Sequence, residues 1–77
     1  MDELKIVNLN GKEYAVLDEI QTGNIIYIYF VNPNNLIDFC IRKLADEQKE
    51  VLLSLDSREE FEYAINLFKE KNQETFN

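Results

Sequence analysis

Five short apolar runs separated by turn-forming residues, then one stretch of helical period, predict an α+β domain. The expected architecture is an antiparallel β-meander of about five strands with one C-terminal α-helix packed on one face. Three observations carry this. Ile25–Val31 is seven consecutive apolar or aromatic residues in a chain where 30% are charged, and its β-branched and ring side chains suit a pleated surface. Asn10-Gly11 lies between two apolar-rich runs, a strong short-range hairpin signal. Phe61, Ala64, Ile65 and Phe68 fall at i, i+3, i+4 and i+7, one stripe of a helix.

The elements follow in order. Leu4–Leu9 is the first strand and Lys12–Ile20 the second. Gln21-Thr22-Gly23-Asn24 turns the chain into Ile25–Val31, and Asn32-Pro33-Asn34-Asn35 breaks it again, because proline offers no N–H to a ladder. Asp38–Ala45 reads as the fourth strand, Asp46–Lys49 as a polar connection and Val51–Leu55 as the fifth. Ser57-Arg58-Glu59-Glu60 has the spacing of a capping box, with Ser57 as cap and Glu60 reaching back, and Asp56 is nearly as good a cap. The helix is expected over about 57–71, with acidic residues in its first turn and Lys69 and Lys71 in its last, as the macrodipole favours. Residues 1–77 form a single domain, with the sheet over about 4–55.

Two-residue turns assign the faces. With Leu9 opposite Lys12, Ile6 lies opposite Ala15 and Leu4 opposite Leu17. The parity that best gathers apolar residues puts Leu4, Ile6, Ala15, Leu17, Ile26, Ile28, Phe30, Phe39 and Ile41 on one face, where the helix is expected. For the fifth strand a three-residue loop or a bulge would add Val51, Leu53 and Leu55 beneath it and a two-residue loop would not; the former is favoured because it buries three large residues. The other face then holds Lys5, Val7, Tyr14, Val16, Asp18, Ile20, Tyr27, Tyr29, Val31, Cys40 and Arg42. One helix leaves this second face without cover. Tyrosine and arginine are enriched at interface centres, so Tyr14, Val16, Tyr27, Tyr29 and Arg42 are the expected partner-binding residues.

The totals narrow the function classes. A 77-residue chain buries roughly 60–65% of its unfolded surface and is stable by about 5 kcal/mol. The net charge of −7 and pI of 4.4 repel phosphate backbones, so direct nucleic-acid binding is not expected. The opening Met1-Asp2-Glu3-Leu4-Lys5 lacks a basic leader and an apolar run, and one cysteine makes no internal disulfide. Both point to a reducing cytoplasm. No apolar stretch reaches the about 20 residues of a membrane helix.

No catalytic, cofactor or metal constellation emerges. Histidine is absent, which removes the commonest general base and metal ligand. A single cysteine excludes the usual zinc sets. Gly11 and Gly23 are both explained by turns, and the neighbours Asp18/Glu19 and Glu59/Glu60 diverge on a strand or around a helix. Cys40 shares a face with Arg42, and a nearby cation lowers a thiol pKa. With no base partner, Cys40 is expected to be a small packing residue.

The order of motifs resembles a known family. Gly11-Lys12-Glu13-Tyr14-Ala15-Val16-Leu17-Asp18-Glu19-Ile20, the strand Tyr27–Val31, Phe39-Cys40-Ile41-Arg42-Lys43 and Leu55-Asp56-Ser57-Arg58-Glu59-Glu60-Phe61 are similar to the YrzB-like family. These are short acidic proteins of unknown function from low-GC Gram-positive bacteria. The resemblance spans roughly Leu9–Lys71 and implies a cytoplasmic bacterial setting, with no activity or functional residue to carry over. The expected function is a non-enzymatic protein-interaction module, working through the uncovered face or an edge strand and open to self-association. The alternatives are an acidic decoy for a nucleic-acid-binding protein and a small-ligand sensor with a pocket between sheet and helix.

Overall fold

The computed structural model describes residues 5–45 and 51–72. Four strands form one antiparallel sheet in sequence order: β1 (Ile6–Leu9), β2 (Lys12–Thr22), β3 (Ile25–Asn32) and β4 (Asn35–Ala45). A single helix, α1 (Arg58–Lys71), follows. The first turn forms as expected. Leu9 pairs with Lys12 and Ile6 with Ala15, while Asn10 (φ 53°) and Gly11 (φ 83°) supply the two positive φ angles of a type I′ loop. Gly23 (φ 61°) serves the second turn. The ladder continues past β1, with the Val16 N–H donating to the Lys5 carbonyl at 2.9 Å. The expected Leu4–Leu17 pair and the 46–49 connection lie outside the described residues.

The fifth strand is reduced to one antiparallel bridge, Lys43 to Leu53. Each residue's N–H donates to the other's carbonyl, at 2.9 and 2.8 Å. The chain then leaves the sheet, because Asp56 and Ser57 are taken up in starting α1. Leu55 packs beside the helix and Leu52 against the opposite face. Val51, expected beneath the helix, is exposed.

The helix lies on the face that holds Tyr27 and Tyr29, which corrects the sequence-based assignment. Tyr27, Ile41, Ala64 and Phe68 are buried together, with Ile20, Ile25, Tyr29, Leu55, Phe61, Ile65 and Leu67 around them. On the other face Tyr14, Ile28 and Phe30 form a second cluster with Val7, Leu9, Val16, Ile26, Cys40, Leu44 and Leu52.

Two bulges cause the reversal. Between β2 and β3 the register shifts at Leu17, so Asp18 pairs with Tyr29 but Val16 pairs with Phe30. One extra residue turns Ala15 to the side of Val31 and Tyr29, away from Ile28 and Phe30. Between β3 and β4, Asn32 pairs with Asn35 but Val31 pairs with Phe39. Three extra residues, Leu36 to Asp38, are absorbed in β4. An odd insertion flips every side chain that follows. Phe39 and Ile41 therefore join Tyr29 and Tyr27, while Cys40 and Arg42 join Phe30 and Ile28.

Once the parity is reversed, the tyrosine face is the better seat for α1. Tyr29 stacks on Phe39 with ring centroids 5.3 Å apart and meets Phe68 edge-on at 5.4 Å. Phe39 in turn stacks near Phe61 at 6.3 Å. Such aromatic pairs add about 0.5–1.5 kcal/mol each beyond the area they bury.

Candidate interaction surface

Two polar clamps fix where α1 lies and so decide which apolar surface remains open. The first is at its N-terminus. Ser57 Oγ accepts from the Glu60 N–H at 3.1 Å, as a cap should. The Glu60 carboxylate reaches one residue beyond the expected position, to the Asp56 N–H at 2.6 Å. It also accepts from Lys43 Nζ at 3.0 Å and from the Tyr27 hydroxyl at 2.9 Å. Lys43 is buried and bonds Asp56 as well, at 3.0 Å.

Protonation follows from these contacts. Burial pushes the Glu60 carboxyl up, but the Asp56 N–H, the Lys43 ammonium and the Tyr27 hydroxyl together pull it below its ordinary value. Burial lowers Lys43, and its two carboxylate partners more than reverse that. The Tyr27 phenol is pushed up to about 12, first by burial and then by its bond to Glu60.

The second clamp holds the C-terminus of α1 to β2. Lys71 Nζ bonds the Asp18 carboxylate and also donates to the Glu19 carbonyl at 2.8 Å. Asn72 Nδ2 donates to Asp18 at 3.1 Å and to the Phe68 carbonyl at 2.9 Å. Asp18 is raised by burial, yet held below the ordinary carboxylate value by Lys71 and Asn72.

Between these clamps α1 crosses from β4 to β2 and covers only part of its face. Ile6, Ala15, Val31 and Phe39 are direct cross-strand neighbours, one on each strand. They make an apolar row across the whole sheet on the helix side. Ala15 and Val31 are buried, but Ile6 is 47% and Phe39 38% exposed. Leu17, carried outward by the β2 bulge, is 59% exposed. Leu36 and Ile37, in the β4 bulge, are 72% and 87% exposed. A cleft of about 510 Å³ opens between the Leu17 bulge and the C-terminal half of α1. Leu17, Tyr29, Ile65 and Phe68 line it, with Asp18, Lys69, Lys71 and Asn72 beside them.

The structure divides the five residues singled out from the sequence. Tyr27 is buried beneath α1, and Tyr29 lies half-buried beside it in the wall of the cleft. Tyr14, Val16 and Arg42 remain on the opposite face but do not stand out from it. Tyr14 is buried, its hydroxyl donating to Asp38 at 2.9 Å. Val16 packs on the second cluster. Arg42 is half-buried and donates from Nη1 to the Ile41 carbonyl at 3.0 Å. The exposed large apolar side chains are instead Ile6, Leu17, Leu36, Ile37, Phe39, Val51 and Tyr63, of which Leu36, Ile37 and Phe39 adjoin along β4. Their signal was Leu36-Ile37 directly after the Asn-Pro-Asn-Asn turn, where adjacent aliphatics cannot both point inward from a regular strand.

β4 also leaves part of its edge without a strand beside it among the described residues. Because both main-chain groups of Lys43 point outward to Leu53, those of Ile41 and Phe39 point outward too. Arg42 covers the Ile41 carbonyl, and Asn35 Oδ1 accepts from the Ile37 N–H at 3.3 Å. Among the described residues Phe39 has neither cover.

Cys40 is half-buried, and burial raises its thiol pKa more than Arg42 lowers it. Among the described residues no group of three His, Cys, Asp or Glu side chains is placed to hold a metal ion. No described helix is long and apolar enough to cross a membrane. No family model, curated protein or solved structure matches this chain.

Proposed function

We propose that this chain is a non-enzymatic protein-interaction module. Its contact surface is the part of the helix-side face that α1 leaves open, together with the adjoining edge of β4. The observation that carries the reading is the exposure of Leu17, Ile37 and Phe39 at 59%, 87% and 38%. Exposed apolar side chains that adjoin, as Ile37 and Phe39 do along β4, mark contact sites on a small domain. The net charge of −7 disfavours phosphate-rich partners and favours protein. A reducing cytoplasmic setting belongs to the same reading and is supported by the lone Cys40.

The test is paired substitution. Leu17→Asp and Ile37→Asp sit on exposed positions and should leave the fold intact by circular dichroism. Each should weaken association, whether with another protein or with a second copy, by tenfold or more. Association unchanged in both variants would remove the surface from consideration.

A second reading rests on the 510 Å³ cleft, whose size falls in the range of small-molecule sites of about 300–1,000 Å³. Its apolar floor and the Lys69 ammonium suit a small amphipathic anion, with Lys71 and Asp18 paired to each other at its rim. Thermal shift against a panel of short- and medium-chain carboxylates tests it. No stabilisation by any of them would remove it.

A further inference from the structure

We propose that the occupant of the β4 edge is a second copy of the same edge, paired antiparallel about a two-fold axis through Phe39. This rests on the interaction-module reading and names its partner.

The backbone phase comes first. Lys43 gives both its N–H and its carbonyl outward to Leu53, so Phe39 directs both of its own away from β3. Two Phe39 residues facing each other across a dyad satisfy all four groups, as a hydrogen-bonded antiparallel pair does. The side chains agree with that register. On the helix side Phe39 meets Phe39, and Ile37 meets Ile41. On the other side Asp38 lies opposite Cys40 and diagonal to Arg42, within reach of a long side chain. That gives two opposite-charge contacts by symmetry. Arg42 already reaches the edge, where it donates to the Ile41 carbonyl at 3.0 Å. The apolar row Ile6–Ala15–Val31–Phe39 then runs on across the dyad into its copy, and the four-stranded sheet becomes one of eight strands. The bridge at Lys43 limits the pairing to Ile37–Ile41, because Asn35 of the copy would fall where Leu53 already sits. Edge strands left apolar and uncapped are sites of this kind of addition.

The experiment is sedimentation equilibrium of the wild-type chain from micromolar to millimolar concentration, with amide hydrogen exchange at both ends of the range. The apparent mass should double as concentration rises. Added salt should favour the dimer, since each copy carries −7. The Phe39 amide should exchange more slowly in the dimer than in the monomer. Ile37→Lys, which sets a charge beside the dyad at an exposed position, should restore the monomer with an unchanged circular dichroism spectrum. A strict monomer at every concentration overturns the pairing. So does a dimer whose Phe39 amide exchanges as in the monomer. If Leu17→Asp abolishes that second kind of dimer, the broader interaction reading survives. If neither Leu17→Asp nor Ile37→Asp changes any association, that reading fails as well.

Discussion

Lys43 Nζ lies 3.0 Å from the Glu60 carboxylate and so joins a buried position of β4 to the first turn of α1. Glu60 also holds the Tyr27 hydroxyl and the Asp56 N–H. One side chain therefore caps the helix, neutralises a buried ammonium and orients the tyrosine at the centre of the core. The clamp ties the start of α1 to this face of the sheet.

Removing the ammonium should cost more than removing any exposed charge. Lys43→Ala leaves Glu60 largely buried with no cation, a loss of about 3 kcal/mol. Arg58→Ala breaks only an exposed pair with Glu62 and should change stability by about 0.5 kcal/mol or less. Urea denaturation of the two variants gives the comparison, and equal midpoints would refute the role given to Lys43.

The pH dependence follows from the same contacts, and its sign is fixed at both ends. Glu60 and Asp18 are held below their ordinary values of 4.5 and 3.8. Their stabilisation is present above those values and is lost as pH falls through the lower, folded ones. Tyr27 is raised from 10.0 to about 12 and Lys43 is raised above 10.5. Their contributions are full below the unfolded values and are lost as pH rises beyond them. Thermal unfolding should show a plateau between these limits. Glu60→Gln should flatten the acid limb.

Aromatic truncation should separate core from surface. Phe68→Ala opens a cavity at a side chain only 4% exposed and should cost about 4 kcal/mol. Tyr27→Phe removes one donor from Glu60 and should cost about 1 kcal/mol. Leu36→Ala, at 72% exposure, should fall within about 0.5 kcal/mol of wild type. Phe68→Ala that unfolds no more easily than Leu36→Ala would contradict the packing described.

The Cys40 thiol should react slowly. Burial holds it protonated at neutral pH, and the thiolate is the reacting form. Labelling by a thiol reagent should be much faster in denaturant than in buffer. Equal rates would contradict the burial.

Most of the secondary structure was legible in the sequence, because each signal was local. Asn10-Gly11 fixed the first register, Ile25–Val31 the central strand, and the Phe61–Phe68 stripe with Ser57 the helix. The side of the sheet that takes the helix was not legible. It depends on Leu17 and on the three residues Leu36–Asp38, whose extra length is invisible to a pattern of period two. Regular turns would have set Phe39 and Ile41 with Ile28, a tidier apolar set than the one found. The two bulges also set which side chains α1 covers: Tyr27 and Tyr29 share its face, while Leu17 and Ile37 are left exposed.

The three residues that swell β4 also constrain how this hairpin tolerates a change in length. Losing one of them would shift the count by one and turn Phe39, Ile41 and Lys43 away from the helix together, stranding Glu60. Losing two would keep Ile41 beneath Phe68. Gains and losses in this segment should therefore be tolerated only in even steps.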